Sequence, residues 1–152
     1  MLRVRAKIYN VTHVYRKPHA LIRYLVRLPV LYQFIAFVTA KRVVVRGRSM
    51  LPALSAGERV LFDRLAYLVD RPSVGDIVLA RHTARAGVRM VKRVARGEGL
   101  GPDEFWLLGD NAEESTDSRA LGVFRREDIV AQAWVVYWPA GRFRLINRGT
   151  SR

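Results

Sequence analysis

The chain of 152 residues has no cysteine, which excludes disulfide staples, thiolate metal sites and a cysteine nucleophile but leaves the redox compartment open. Histidine is scarce. His13, His19 and His82 stand at no spacing suited to metal ligation, so neither a metal nor another cofactor is expected. Acidic residues are missing from a whole stretch: residues 1–57 hold eleven Lys and Arg and no Asp or Glu, leaving 16 basic against 13 acidic side chains in the remainder. Most of the formal charge of +14 therefore belongs to an N-terminal appendage, which suits an anionic membrane surface. Nothing in residues 1–41 reads as a helix-turn-helix, and no nucleic-acid partner is expected.

Long uninterrupted apolar runs are absent too. Residues 20–40, "ALIRYLVRLPVLYQFIAFVTA", are broken by Arg23, Arg27, Pro29 and Gln33, and the charge-free part, 28–40, is only 13 residues. As a helix it reaches about 20 Å, against a hydrocarbon core of about 30 Å. Arg16, Arg23 and Arg27 fall near one helical face and Leu21, Tyr24, Leu25 and Leu28 on another, the pattern of a basic interfacial helix. A surface anchor, a single span and a helix packed on its own domain remain open readings. Cations flank the segment on both sides and give no orientation. A cleaved secretory signal is not expected, because the start is long and basic and the apolar run comes late.

From residue 42 the pattern changes to short β-rich runs: 42–46, 58–63, 76–82, 88–95, 104–110 and 129–138, parted by glycine and proline. Half the residues are hydrophobic, enough for one buried core. The expected body is a mainly β, antiparallel, barrel-like domain over residues 42–140, with a basic tail over 141–152. Residues 62–69, "FDRLAYLV", read as a short helical turn.

Three segments carry candidate chemistry. "GRSMLP" (47–52) ends a strand-like run with Ser49 beside Met50. In "RMVKRV" (89–94) Met90, Lys92 and Val94 share one strand face while Arg89, Val91 and Arg93 share the other. A lysine on an apolar face loses proton affinity by desolvation, and a neutral amine can take a proton from a serine hydroxyl. A lysine snorkelling along a surface strand gives the same pattern. "GDNAEESTDSRALG" (109–122) packs Ser115, Asp117 and Arg119 into five residues, where Asp117 and Arg119 can brace a loop and Ser115 can bond a neighbouring lysine.

Taken in order, "GRSMLPALSAGERVL", "SVGDIVL", "MVKRV" and "GDNAEESTDSRALG" resemble the type I signal peptidase family over about residues 43–137. The resemblance implies a serine endopeptidase with a serine and lysine dyad: Ser49 as nucleophile, Lys92 as general base, Ser115 orienting the lysine, and Asp117 with Arg119 supporting the loop. It also implies a precursor's N-terminal peptide as substrate, small residues before the cut lying near Val45 and Met50, and association with a membrane, here a bacterial plasma membrane. Gly47 stands where some members have a serine that donates to the oxyanion hole. The short chain between Lys92 and "GDN" is similar to minimal members, among them organelle inner-membrane peptidases and maturation proteases of nickel superoxide dismutase. The competing readings are a self-cleaving serine and lysine regulator and a non-enzymatic basic module that binds membrane or nucleic acid.

Overall fold

The computed structural model describes residues 29–82 and 88–147; His13, His19 and the basic face read over residues 16–27 lie outside the described residues. Eight strands are present among them: β1 Lys41–Val44, β2 Arg59–Asp63, β3 Ile77–Arg81, β4 Arg89–Ala95, β5 Glu104–Leu108, β6 Phe124–Arg125, β7 Ile129–Trp138 and β8 Arg144–Leu145. They form one antiparallel sheet in the order β1-β2-β7-β3-β4-β5-β6, with β8 also on β7. The expected mainly β, antiparallel body is thus observed, as one open sheet. Six strands coincide with the predicted runs. β6 and β8 have two residues each, too few for a period of two to show.

β7 organises the sheet because it is long. It pairs with β2 along one edge, and on the other with β3 near its start and β8 near its end. Register shifts interrupt the β2–β7 and β3–β7 ladders, and such irregularities sharpen twist, which helps the sheet curl. β3 alternates between two cores. Ile77 and Leu79 join Val45, Met50, Phe62 and Val136, while Val78 and Ala80 join Val94, Phe105, Leu107 and Phe124. An almost wholly apolar "IVLA" follows from burial on both faces.

Helix α1, Pro29–Thr39, precedes β1. It buries Ala36 and hydrogen-bonds the Tyr32 hydroxyl to the Asp63 carboxylate, while Val30, Phe34, Phe37 and Val38 stay exposed. The turn expected within 62–69 is α2, Ala66–Val69. His82 packs edge-on against Phe124.

The expected boundary before residue 141 falls just ahead of β8, which fastens the loop after β1. Arg144 of β8 donates to both Glu58 oxygens at 2.8 and 3.0 Å and to the Ala53 carbonyl at 2.6 Å. The Ser55 N–H adds a further bond to Glu58 at 3.0 Å. The Arg144 guanidinium outweighs burial and holds the Glu58 carboxyl below its ordinary range. This stabilisation is present above the unfolded carboxyl's pKa and is lost as pH falls through the folded one. Glu58→Gln is expected to destabilise the domain by roughly 1–3 kcal/mol at neutral pH and less in acid, read by thermal unfolding across pH.

Candidate active site

Ser49 sits in a tight loop that leaves β1. Two backbone bonds close its base, from the Val45 N–H to the Glu58 carbonyl at 2.8 Å and from the Gly57 N–H to the Val45 carbonyl at 2.9 Å. Gly47 turns the chain at φ +78°, a left-handed conformation that disfavours any side chain there. Met50, 2% exposed, then plunges into the core beside Val45 and pins the half-buried Ser49 at the rim.

Lys92 comes from the middle of β4, opposite Val78 of β3. It is 3% exposed and shares its buried face with Val94, as the alternation predicts. Desolvation lowers its pKa; nearby Asp117 opposes this and Arg119 reinforces it. The ammonium form is therefore disfavoured. Lys92 Nζ donates to Ser115 Oγ at 2.8 Å, and Ser115 Oγ donates to Asp117 Oδ2 at 2.6 Å. Because the Ser115 hydroxyl has one proton and gives it to Asp117, it can only accept from the lysine. A neutral Lys92 bonded this way keeps its lone pair for another group.

Asp117, fully buried, is the hub of the third segment. It caps α3, Ser118–Leu121, by accepting from the Arg119 N–H at 3.2 Å. Arg119 also donates Nε to Oδ1 at 2.9 Å and Nη2 to Oδ2 at 2.7 Å, and the Gly109 N–H reaches Oδ2 at 2.9 Å. Burial alone raises an aspartate's pKa, but these donors hold Asp117 well below the usual carboxylate range. Its negative charge is secure at any pH where the lysine titrates.

The third segment also touches the serine loop directly. The Asn111 N–H donates to the Ser49 carbonyl at 3.0 Å. A Cβ on Gly109 would meet Ser115 Oγ at 2.2 Å and the Ser49 carbonyl oxygen at 2.6 Å. Glycine here is a packing requirement. Gly109→Ala is expected to push apart Ser49 and Ser115 and to cut peptide cleavage about a hundredfold with the fold retained, measured by turnover beside circular dichroism.

The family model described as signal peptidase, peptidase S26, matches residues 19–104 and 95–138. The chain belongs to the S26 signal peptidase family. The signal peptidase I of Leptolyngbya laminosa is 26% identical over 147 residues, covering 70% of this chain and 72% of that protein. The mitochondrial ATP-independent inner membrane protease subunit 1a of Arabidopsis thaliana is 32% identical over 120 residues, covering 65% and 71%. The mitochondrial inner membrane protease subunit 1 of Homo sapiens is 29% identical over 125 residues, covering 69% and 74%. The protein is a serine endopeptidase, a hydrolase, and the non-enzymatic reading gives way to this.

In this S26 peptidase two clefts meet at Ser49 and Lys92. One, about 460 Å³, runs between β1 and the first half of β4, with Val43, Val45, Met50, Leu79 and Val91 among its walls. The other, about 350 Å³, continues past Gly47 and Arg48 toward Glu114, Thr116 and Leu121. The first lies between two free strand edges, since among the described residues β1 pairs only with β2 and β4 pairs with β5 only through Arg93–Ala95. A third cleft, about 440 Å³ beside Tyr67 and Asp103, is lined by no serine, lysine or histidine among the described residues.

All the expected site residues converge: Ser49, Met50 and Val45 on one wall, Lys92 on the other, and Ser115, Asp117 and Arg119 behind the lysine. Sequence reading missed the brace on the opposite face of β4. Arg93 grips Asp110 with two bonds of 2.7 Å and reaches the Gly75 carbonyl at 2.8 Å. Its signal was present, because Arg93 stands next to the lysine and pairs with Leu108 of β5, two residues before the aspartate of "GDN".

Proposed function

We propose that Ser49 is the nucleophile and Lys92 the general base of a membrane-associated endopeptidase that removes N-terminal signal peptides or propeptides from precursor proteins. The observation that carries this reading is a buried lysine of lowered pKa, held by Ser115, in the same cleft as a half-buried serine. Neutral Lys92 takes the Ser49 proton as Oγ attacks the scissile carbonyl. The carbon–nitrogen bond then breaks and Lys92 returns the proton to the departing amine. A water, deprotonated by Lys92, finally releases the acyl group. With Gly47 offering no side-chain donor, oxyanion stabilisation falls to the Ser49 backbone N–H. Asp117 and Arg119 hold Ser115 in place.

An extended peptide suits the gap between the edges of β1 and β4, where it can complete both ladders by main-chain bonds. Val45 and Met50 form the shallow apolar floor that favours small residues before the cut. The exposed apolar face of α1 supports seating at an anionic membrane surface, with residues 1–41 as the membrane-proximal part and a bacterial plasma membrane as the location. At 11 residues α1 is about 16 Å long, and no helix among the described residues is long and apolar enough to cross.

The short body and the wording "GDNAEESTDSR" favour a dedicated precursor, the propeptide of nickel superoxide dismutase. The test offers the full-length enzyme in detergent two peptides, that propeptide and a secretory signal ending in Ala-x-Ala, with the cut mapped by mass spectrometry. Faster cleavage of the propeptide is expected. Faster cleavage of the signal peptide overturns the dedicated precursor, and cleavage of neither by a folded enzyme overturns the reading.

A further inference from the structure

The cleft changes character along its length. Near Ser49 its floor is apolar, made by Val45, Met50 and Leu79, with Arg42 and Arg46 also on its lining from the other face of β1 and the loop after it. At the far end, Lys41 continues the face of β1 that carries Val43 and Val45, and Arg89 continues the face of β4 that carries Val91. Arg81 lies directly opposite Arg89 in the β3–β4 ladder, and like charges so placed repel. Burial first, and then Arg89, Arg64 and Arg81, hold the Lys41 amine below its ordinary pKa.

Several arginines elsewhere are matched with carboxylates. Arg93 has Asp110, Arg119 has Asp117, and Arg142 and Arg144 share Glu58. Among the described residues, none of Lys41, Arg64, Arg81 and Arg89 forms an ion pair, and no carboxylate lines the cleft. Uncompensated repulsion of this kind, at one end of a groove that leads to the serine, is relieved by an incoming anion.

We propose that the far end of the cleft is an anion subsite that reads an aspartate or glutamate of the precursor peptide, about three to five residues from the bond that is cut. That spacing follows from the three-residue step along β4 between Lys92 and Arg89, about 10 Å at about 3.3 Å per residue, extended by the reach of the side chains. The subsite rests on the reading of Ser49 and Lys92 as the dyad. An acidic side chain on the bound strand reaches Lys41 and Arg89 while the residues beside Val45 and Met50 stay small. Specificity is then bipartite, by size next to the cut and by charge at a distance. The position inside a walled groove, between two strand edges, favours a peptide over a lipid headgroup.

The test uses the full-length enzyme in neutral detergent and three cleavable peptides: one uncharged, one with Glu four residues before the cut and one with Glu four residues after it. One of the two Glu placements is expected to raise kcat/KM about tenfold, through KM, with the gain shrinking as salt rises. In the Lys41→Gln/Arg89→Gln variant the ratio of acidic to uncharged peptide is expected to fall toward one. Cleavage of all three peptides at equal rates, with no salt-dependent preference in the wild type, overturns the subsite alone. A ratio that persists in the variant does the same, as does a variant that loses only its binding to phosphatidylglycerol vesicles. Failure to cut even the uncharged peptide overturns the dyad reading, and the subsite with it.

Discussion

Replacing Lys92 by methionine is expected to lower kcat for peptide cleavage by about 10³- to 10⁴-fold while making the folded domain more stable. The two effects have one cause. Burial of Lys92 disfavours its ammonium form, so its folded pKa lies below its unfolded value. Between those values the unfolded chain binds more protons, and stability rises with pH; below the folded pKa the full penalty of burying a charge applies. Methionine, with a similar unbranched chain and no charge, removes that penalty, and a gain of about 0.5–2 kcal/mol at neutral pH is expected. Ser49→Ala is expected to lose cleavage to a similar extent without the stability gain. Combining the two should cost little more than either alone, because the groups act as a unit. Turnover assays beside thermal melts check all three variants. Substantial cleavage by folded Lys92→Met removes the lysine from the mechanism.

Asp117→Asn is expected to have the second largest effect, on two readouts of different kinds. The carboxylate accepts bonds from Gly109, Ser115 and Arg119, and an amide cannot satisfy the same set because one of its two terminal atoms is a donor. A stability loss of roughly 2–4 kcal/mol follows from leaving buried donors without partners. The pH profile supplies the second readout. Asp117 raises the Lys92 pKa against desolvation, so removing its charge lowers that pKa further. The rising limb of kcat/KM should therefore move to lower pH even though the maximum falls. A merely structural Asp117 predicts a lower maximum with an unmoved limb. Stopped assays from weakly acidic to alkaline pH, on protein shown to be folded, separate the two.

Much of the site was legible in order along the chain. Alternation in β4 put Lys92 on the buried face with Val94, and the burial pattern of the strand agrees. "STDSR" was legible as a self-braced loop because its members are too close in sequence to miss one another, and Asp117 does hold both Ser115 and Arg119. Gly109 stood in the sequence only as the first residue of the 109–122 segment. Its stricter requirement comes from Ser49 and Ser115, which lie 60 residues upstream and six downstream, so no local pattern announces it.

The clamp from Arg144 to Glu58 and Ala53 was illegible for a similar reason. Its partners are separated by more than 80 residues, and a two-residue strand has no period to recognise. A basic tail and a β8 that staples the serine loop look alike until β7 supplies the edge on which the latter pairs.

Residue types and spacing by themselves determined the chemistry available to this protein: a serine at a turn, a lysine on an apolar strand face, a braced polar loop, and no cysteine or metal-ligand pattern to compete with them. Only the tertiary structure decided that these meet. Curling of the sheet brings the free edges of β1 and β4 to the two sides of one cleft, with Ser49 and Lys92 on its walls. The same curling brings Lys41 and Arg89 to the walls of that cleft, where no carboxylate among the described residues answers them. The physical reason is that periodicity specifies which way a side chain faces on its own strand, whereas proximity across a sheet depends on strand order, register and twist, which long-range pairing sets.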